Sequence, residues 1–234
     1  MKKIIAFLIF LCGVWIVRAQ TADEIIEKYI QAMGGREKLE LIQASILEGK
    51  VQAMKQEIPI KFTSIKEKGY RMDMEIMGMK LWTIATPDTG WTYMPMQGAP
   101  MLKPMPKEVI AESRSQFYPA GPLLDYKKIG LAIEYLGMDD VDGKDCYKLK
   151  STSKEGKISY FLIDPTTNYL VRVSAKKTVM GKEMEIVTDF SDFRKLESGT
   201  VFPHKMISPN GEVQVIKITI NPDIDEKILV PTTN

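Results

Sequence analysis

Few residues in this sequence are suited to catalysis, because it contains one histidine and two cysteines. His204 lies in the run Val-Phe-Pro-His-Lys, and an imidazole can transfer protons near neutral pH. No motif marks a serine, cysteine or acidic partner for it, which favours a structural or surface role. Cys146 stands beside Tyr147 in a predicted strand, and a nucleophile would need an activating base that the sequence does not place there. We therefore predict a protein that is not an enzyme and has no catalytic residues.

The acidic stretch of residues 138–145, Met-Asp-Asp-Val-Asp-Gly-Lys-Asp, is similar to part of a calcium-binding loop. In such a loop the first ligand position would be Met138 and the twelfth would be Leu149 instead of glutamate. The stretch is therefore interpreted as a solvated hairpin, and we predict no metal site and no cofactor.

Methionine is the unusual component of the composition, since eight of the 15 methionines lie between Met72 and Met105. Several are spaced two residues apart, which places each pair on one face of a strand. Flexible thioethers can fill a β core, line an adaptable apolar pocket, or bind Cu(I) as soft ligands. The copper interpretation is the weakest, because no histidine or cysteine accompanies them.

The first 19 residues have the pattern of a secretory signal peptide. A basic start, Met1-Lys2-Lys3, precedes an apolar run from Ile4 to Val17, and Ala19 offers a cleavage site. Residues 1–19 hold three of the 32 basic residues and no acidic ones, so the remaining chain has 29 basic and 30 acidic residues. That balance gives no basic patch for nucleic acid. We expect an exported protein cut after Ala19, with residues 20–234 as a single domain.

The remaining chain begins with a helix and then changes to the two-residue period of strands. Thr21 and Glu24 form a capping box ahead of an apolar helical stripe that Gly34-Gly35 ends, and a second short helical turn is predicted from Arg36 to Gln43. Strands follow at 46–54, 58–65, 70–76 and 80–86. Pro59 inside the second of them indicates an edge strand or a bulge.

The stretch Ile84–Gly98 is predicted to form a hairpin, with a turn at Asp88-Thr89-Gly90 and a second strand that Pro95 ends. Trp91 and Tyr93 share one face of that second strand. The Pro-rich connection that follows, Gly98–Pro122, cannot be an interior strand, although residues 107–116 can be helical. A further short helix is predicted at residues 123–129. On a curved sheet, such a connection would cover one face.

The second half of the chain reads as a meander of antiparallel strands separated by turn residues. The predicted strands are 132–136, 146–151, 158–164, 169–178, 183–190, 201–207 and 212–220. Asn210-Gly211 is the strongest hairpin signal. Val213 and Val215 share one face, whereas Ile216, Ile218 and Ile220 share the other. This change of phase predicts a bulge or burial on both faces.

The order of these features resembles the LolA/LolB-type periplasmic carriers of outer-membrane lipoprotein sorting. The motifs that carry the resemblance, in order, are Tyr70-Arg71-Met72-Asp73-Met74, Asp88-Thr89-Gly90-Trp91-Thr92-Tyr93-Met94-Pro95, Tyr160-Phe161-Leu162-Ile163-Asp164, Gly199-Thr200-Val201-Phe202-Pro203 and Ile220-Asn221-Pro222. The family also has an Arg-Pro step linked to lid closure, where this chain has Lys66-Glu67-Lys68-Gly69. Lysine supplies the charge but not the planar two-point donor of arginine.

The resemblance implies a mainly β fold, in which a curved antiparallel sheet forms a half-open barrel with an N-terminal helix and short covering helices. It implies a non-enzymatic carrier that binds lipid or lipoprotein acyl chains in an apolar cavity, with inner- or outer-membrane sorting components as further partners. Alternation and resemblance together predict these lipid-binding residues: Met72, Met74, Ile76, Trp82, Trp91, Tyr93, Phe117 and Leu123. At Leu81-Trp82 both faces are apolar, so the pattern does not decide which one lies inside. The alternative is an envelope protein–protein interaction module with a filled β core.

Overall fold

The computed structural model describes residues 21–53, 56–95, 101–179 and 182–232. The predicted signal peptide, residues 1–19, lies outside these ranges, as do Met54, Met96 and Gly98. No helix in the described ranges combines the length and apolarity needed to cross a bilayer.

Helix α1 (Ala22–Ala32) begins at the predicted capping box. The Glu24 amide donates to the Thr21 hydroxyl at 3.2 Å, and the Thr21 amide donates to the Glu24 carboxylate at 3.1 Å. A reversal at Gly34-Gly35 follows, and helix α2 (Arg36–Glu40) leads into the sheet. The apolar stripe of α1 is buried, with Ile30 completely inaccessible to solvent.

A single antiparallel sheet of 13 strands forms the body of the protein. Its strands are β1 (Ala44–Ala53), β2 (Gln56–Ile65), β3 (Gly69–Ile76), β4 (Met79–Ala85), β5 (Gly90–Tyr93), β6 (Leu102–Pro104), β7 (Ala132–Val141), β8 (Lys144–Thr152), β9 (Ile158–Ile163), β10 (Leu170–Val179), β11 (Lys182–Lys195), β12 (Val201–Ser208) and β13 (Gly211–Ile220). The spatial order is β6-β5-β4-β3-β2-β1-β13-β12-β11-β10-β9-β8-β7. Every neighbour except β1–β13 is consecutive along the chain. Among the described strands β6 does not pair with β7, so the barrel is half open, and the predicted fold class is confirmed.

The predicted change of phase in the last strand is a bulge. The β1–β13 register shifts between Glu48 and Gly49, which pair with Lys217 and Val215. Ile216 therefore has no partner in β1, and it is 65% exposed. The bulge keeps Val215 and Ile218 on the same face as the apolar residues of β1.

The main core lies between the helices and one face of the sheet, which we call the inner face. Ile25, Ile30 and Leu39 of the helices pack there with Leu149 and Ile163 of the sheet. These side chains are almost completely buried. α1 and α2 cover only part of the inner face, and a later segment of the same chain covers a further part.

Residues 105–131, which we call the covering segment, cross the inner face between β6 and β7. The segment contains α3 (Lys107–Glu112), a 3₁₀ helix (Arg114–Phe117) and α4 (Tyr126–Ile129). Phe117 is buried in a small cluster with Tyr70 and Ala85. The covering helices expected from the Pro-rich connection are therefore present, although each is shorter than the sequence indicates.

Two strand predictions need correction. β2 is an interior strand, so the edge position expected from Pro59 is wrong for the sheet as a whole. The β2–β3 pairing covers Ile60 to Ile65, so Pro59 lies just outside it and does not interrupt the ladder. β7 continues beyond Leu136 to Val141 through a register shift between Tyr135 and Met138.

Candidate functional site: an apolar cavity under the covering segment

A cavity of about 550 Å³ lies between the inner face of the sheet and the covering segment. Its walls combine α1, the covering segment and strands from both halves of the sheet. The larger apolar side chains in these walls include Tyr29, Met33, Leu47, Phe62, Ile129, Leu131, Phe161, Leu170, Val173, Phe190, Phe193 and Phe202. Ligand pockets in proteins have volumes of about 300–1,000 Å³. The cavity is therefore large enough for a small apolar ligand.

Antiparallel register places these side chains together. Leu47 pairs with Phe62 across β1 and β2, and Phe161 pairs with Val173 across β9 and β10. Directly paired residues point to the same face of a sheet. The alternation along each strand therefore lines the cavity on one side and leaves the intervening residues on the outer face.

The covering segment is held to β2 and the following turn by hydrogen bonds and ion pairs. The Ser64 hydroxyl donates to the Gln116 carbonyl at 2.7 Å, and the Glu67 amide donates to the Phe117 carbonyl at 3.0 Å. Lys66 lies 3.5 Å from the Asp125 carboxylate, and Glu67 also pairs with Lys128. Residues 66–69, which stand where the carrier family has its Arg-Pro step, therefore contact the covering segment through the charged side chains of Lys66 and Glu67.

The methionines of β3 lie on the inner face. Met72 pairs with Phe62 and packs against the cluster around Phe117. Met74 and Ile76 continue the same face by alternation and are half-buried. None of these three side chains lines the cavity.

The aromatic residues of β4 and β5 lie on the outer face. Since Met72 pairs with Thr83, the adjacent Trp82 points to the opposite side of the sheet. Its indole stacks on Tyr93 with ring centroids 5.5 Å apart, and the Arg71 guanidinium lies 5.3 Å from its centroid. The buried indole nitrogen has no hydrogen-bond partner among the described residues. Two residues before Tyr93, Trp91 shares this outer face.

Phe117 and Leu123 are buried parts of the covering segment. Phe117 packs on Tyr70, and Leu123 lies in the main core with no exposed surface. Neither lines the cavity, so none of the eight predicted lipid-binding side chains does. Ligand contact by those eight residues stays a prediction, separate from the cavity described above.

Sequence reasoning missed the cavity walls supplied by the second half of the sheet. Thr188 and Phe190 alternate on β11, and Phe193 stacks on Tyr169 with centroids 4.3 Å apart. Thr188 and Phe190 are two residues apart, the same spacing that places Met72 and Met74 on one face of a strand. The prediction of lipid-binding residues relied on the methionine cluster, which lies in the first half of the sheet.

Cys146 and His204 lie outside the cavity lining. Cys146 is packed with Val141 and Leu162, and burial raises the pKa of its thiol, which disfavours the nucleophilic thiolate. Nδ1 of His204 lies 3.1 Å from the Phe202 carbonyl oxygen. No group of three or more histidine, cysteine, aspartate or glutamate side chains within the described ranges is placed to hold a metal ion.

Tyr29, in the cavity wall, gives a testable pH dependence. Burial raises the pKa of its phenol from 10.0 to about 12. As the pH rises from 10 towards 12, the unfolded chain loses this proton before the folded protein does, so the free energy of unfolding falls. Below pH 10 this contribution is fully present. We expect Tyr29→Phe to weaken the loss of stability between pH 8 and pH 11, measured by denaturant unfolding of lipid-free protein.

The wild-type and Tyr29→Phe proteins share every other tyrosine and lysine, so those groups cancel in the comparison. Equal losses of stability in the two proteins would show that the Tyr29 phenol is not shielded from water.

No family model matches this chain, and no curated protein matches its sequence. Solved structures do match its fold. A DUF1329 family protein from Desulfovibrio piger has a TM-score of 0.58 and 13% identity, with 90% of this chain and 98% of that chain covered. A LolA superfamily protein from Nitrosomonas europaea has a TM-score of 0.57 and 14% identity, covering 91% and 99%.

A third structure, a Vibrio parahaemolyticus domain described provisionally as an outer membrane lipoprotein-sorting protein, has a TM-score of 0.54. Its identity to this chain is 12%, with 88% of this chain and 95% of that chain covered. These likenesses span nearly the whole described chain. The fold of this protein is LolA-like, as the sequence motifs indicated.

Proposed function

We propose that this protein is a non-enzymatic carrier that binds the acyl chains of lipids or lipoproteins in the cavity under the covering segment. The observation that carries the proposal is the cavity of about 550 Å³ on the inner face of a LolA-like sheet. Aromatic and aliphatic side chains from the first and second halves of the chain's strands, such as Phe62 of β2 and Phe190 of β11, line it together.

The energetics of acyl-chain binding suit such a cavity. Each buried methylene group contributes about 0.8 kcal/mol, so affinity comes from apolar contact without a cofactor or metal. In the sheet part of the wall, strand pairing satisfies the backbone polar groups. An acyl chain would therefore displace water there without leaving these backbone groups unpaired.

The predicted signal peptide and the LolA-like fold together support a location in the periplasm. We propose that residues 1–19 are removed after Ala19 and that residues 20–234 act as one LolA-like domain. Inner- or outer-membrane components that deliver or accept the lipid are the proposed partners. The lipoprotein-sorting description of the Vibrio structure agrees with this setting.

An interaction module with a filled core is the competing function. A cavity of this size favours the carrier, since a module that docks through a sheet face or edge needs no internal space. No second function is supported by a specific feature of the described residues.

Native mass spectrometry of the protein, exported with its own signal and purified without detergent, tests the proposal. We expect a bound mass of lipid size that organic extraction removes. The extracted protein should then take up a fluorescent fatty acid. A ligand-free mass, together with no uptake of the added fatty acid, would contradict the carrier function and leave the interaction module.

A further inference from the structure

Two charged segments that are distant in sequence supply exposed side chains to the cavity lining, and this exposed part of the lining is where the cavity meets solvent, which we call the opening. One segment is the covering segment from α3 to the 3₁₀ helix, and the other is the turn between β8 and β9. The charged side chains in this part of the lining are Glu108, Glu112, Arg114, Lys154, Glu155 and Lys157. Lys176 of β10 also lines the cavity, so four basic and three acidic side chains belong to its wall.

One ion pair joins the two sides of the opening. Lys157 lies 3.3 Å from the Glu112 carboxylate, which links the β8–β9 turn to α3. Glu155 accepts a hydrogen bond from the Ser153 hydroxyl at 2.9 Å, so this carboxylate has a partner within its own turn. The third carboxylate, that of Glu108, is exposed on the first turn of α3.

Arg114 and Lys154 both line this part of the cavity, and neither has an ion-pair partner among the described residues. Neither forms a salt bridge within 4.0 Å to a carboxylate in the described ranges. The hydrogen bond from Ser153 is the main cause that lowers the pKa of Glu155, and the charges of Arg114 and Lys154 lower it further. The Lys157–Glu112 ion pair joins the two segments that carry these cations, and both cations line the same cavity.

Packing helps to fix the position of Lys154. A Cβ atom at Gly130 would overlap the methylene chain of Lys154, so that chain lies directly against the end of α4. A lysine stem held against the protein surface keeps its ammonium group near the water boundary. Arg114, in the 3₁₀ helix, also lines the cavity and carries a guanidinium, which can bind a carboxylate or a phosphate through two parallel hydrogen bonds.

The buried part of the lining includes large apolar side chains. Tyr29, Met33 and Phe161 belong to it, and all three are members of the main core cluster. The cavity therefore has an aromatic and aliphatic interior and a charged rim, with two cations that have no ion-pair partner among the described residues. This polarity matches a molecule with an acyl chain at one end and an anionic group at the other.

We propose that the opening is a headgroup site for an anionic amphiphile, in which Arg114 and Lys154 bind a carboxylate or phosphate while the acyl chain fills the interior. This inference rests on the carrier function proposed above and specifies its ligand class. A fatty acid and a lysophospholipid present the same chemistry, an anion at the end of one chain.

Competition against a bound fluorescent fatty acid tests this site, with palmitate, palmitoyl lysophosphatidate and hexadecanol as unlabelled ligands. We expect at least one of the two anions to bind wild-type protein about tenfold or more tightly than the alcohol, because charge-assisted hydrogen bonds are the strong ones. The Arg114→Gln/Lys154→Gln variant should lose that preference and keep its affinity for hexadecanol. Preference for palmitate alone would assign a carboxylate, and preference for lysophosphatidate alone a phosphate.

The matched control is Lys144→Gln/Lys195→Gln, which removes the same charge at exposed positions away from the opening. Equal affinity of wild-type protein for all three ligands would overturn the headgroup site and leave the carrier function standing. An equal loss of preference in the control would also overturn it, because net charge would then explain the effect. If the protein binds neither the fluorescent fatty acid nor any of the three unlabelled ligands, the carrier function itself is contradicted.

Discussion

Replacing Phe190 with aspartate is expected to lower the affinity for a fluorescent fatty acid by at least about tenfold, which corresponds to 1.4 kcal/mol. Phe190 pairs with Met206 of β12 and points into the cavity. In the empty cavity, the new carboxylate would be hydrated. An entering acyl chain would strip that water away, and an ionised carboxylate without a partner costs several kcal/mol to desolvate. The variant should therefore bind poorly while remaining folded.

The control is Ser191→Asp, on the next residue of the same strand. Ser191 is exposed on the outer face and pairs with Lys205, so a carboxylate there stays in water beside a basic residue. Titration of both variants with the fatty acid, together with circular dichroism, separates damage to the sheet from damage to the cavity. Equal loss in both would indicate sheet damage, whereas unchanged affinity in both would mean that acyl chains do not bind beside Phe190.

The succession of strands along the chain could be predicted, because the sequence signals for strands and turns are local. Two-residue alternation and turn residues act within a few positions. The turn predicted at Asn210-Gly211 is displaced by one residue, because Ser208 pairs with Gly211 and the β12–β13 hairpin turns at Pro209 and Asn210. The bulge at Ile216 could also be predicted, because a bulge changes which residues share a face. Both features depend only on neighbours along the chain.

The placement of the cavity could not be predicted, because alternation separates two faces without telling which is inside. In β4, Leu81 and Trp82 are both apolar. The outer face at Trp82 is covered by Arg71 of β3, whose guanidinium lies over the indole. Arg71 also donates a hydrogen bond at 3.1 Å to the carbonyl of Ile228, which is distant in sequence and belongs to the 3₁₀ helix Glu226–Leu229. A large apolar residue can therefore be buried on the side away from the cavity.

The charged residues at the opening of the cavity could not be predicted from the sequence either. Arg114 and Lys154 are 40 positions apart, and each stands in a stretch that reads as an ordinary polar helix end or turn. They line the same cavity only because the covering segment crosses the sheet before β7 begins and the chain then returns through the β8–β9 turn. Charge clusters formed by such crossovers have no periodic signature.

Gly69→Ala is expected to lower the free energy of unfolding by about 3 kcal/mol, combining backbone strain and steric overlap, which typically cost about 1–3 kcal/mol each. Gly69 begins β3 with φ of +143°, a conformation that residues with a Cβ rarely adopt. A Cβ atom there would also overlap the carbonyl oxygen of Ala85, and backbone cannot move aside cheaply. For a protein of this size, the melting temperature should fall by about 6–12 °C.

Gly78→Ala is the control with a positive φ but no steric overlap. The φ of Gly78 is +77°, and a Cβ atom there would have no atom of the described residues within 4 Å. This variant should lose only about 1 kcal/mol, the backbone term alone. If both variants lost equal stability in thermal and denaturant unfolding, the overlap at Ala85 would carry no cost. A larger loss at Gly69 would show that close approach of β3 to the end of β4, beside the buried cluster of Tyr70 and Phe117, requires a residue without a side chain.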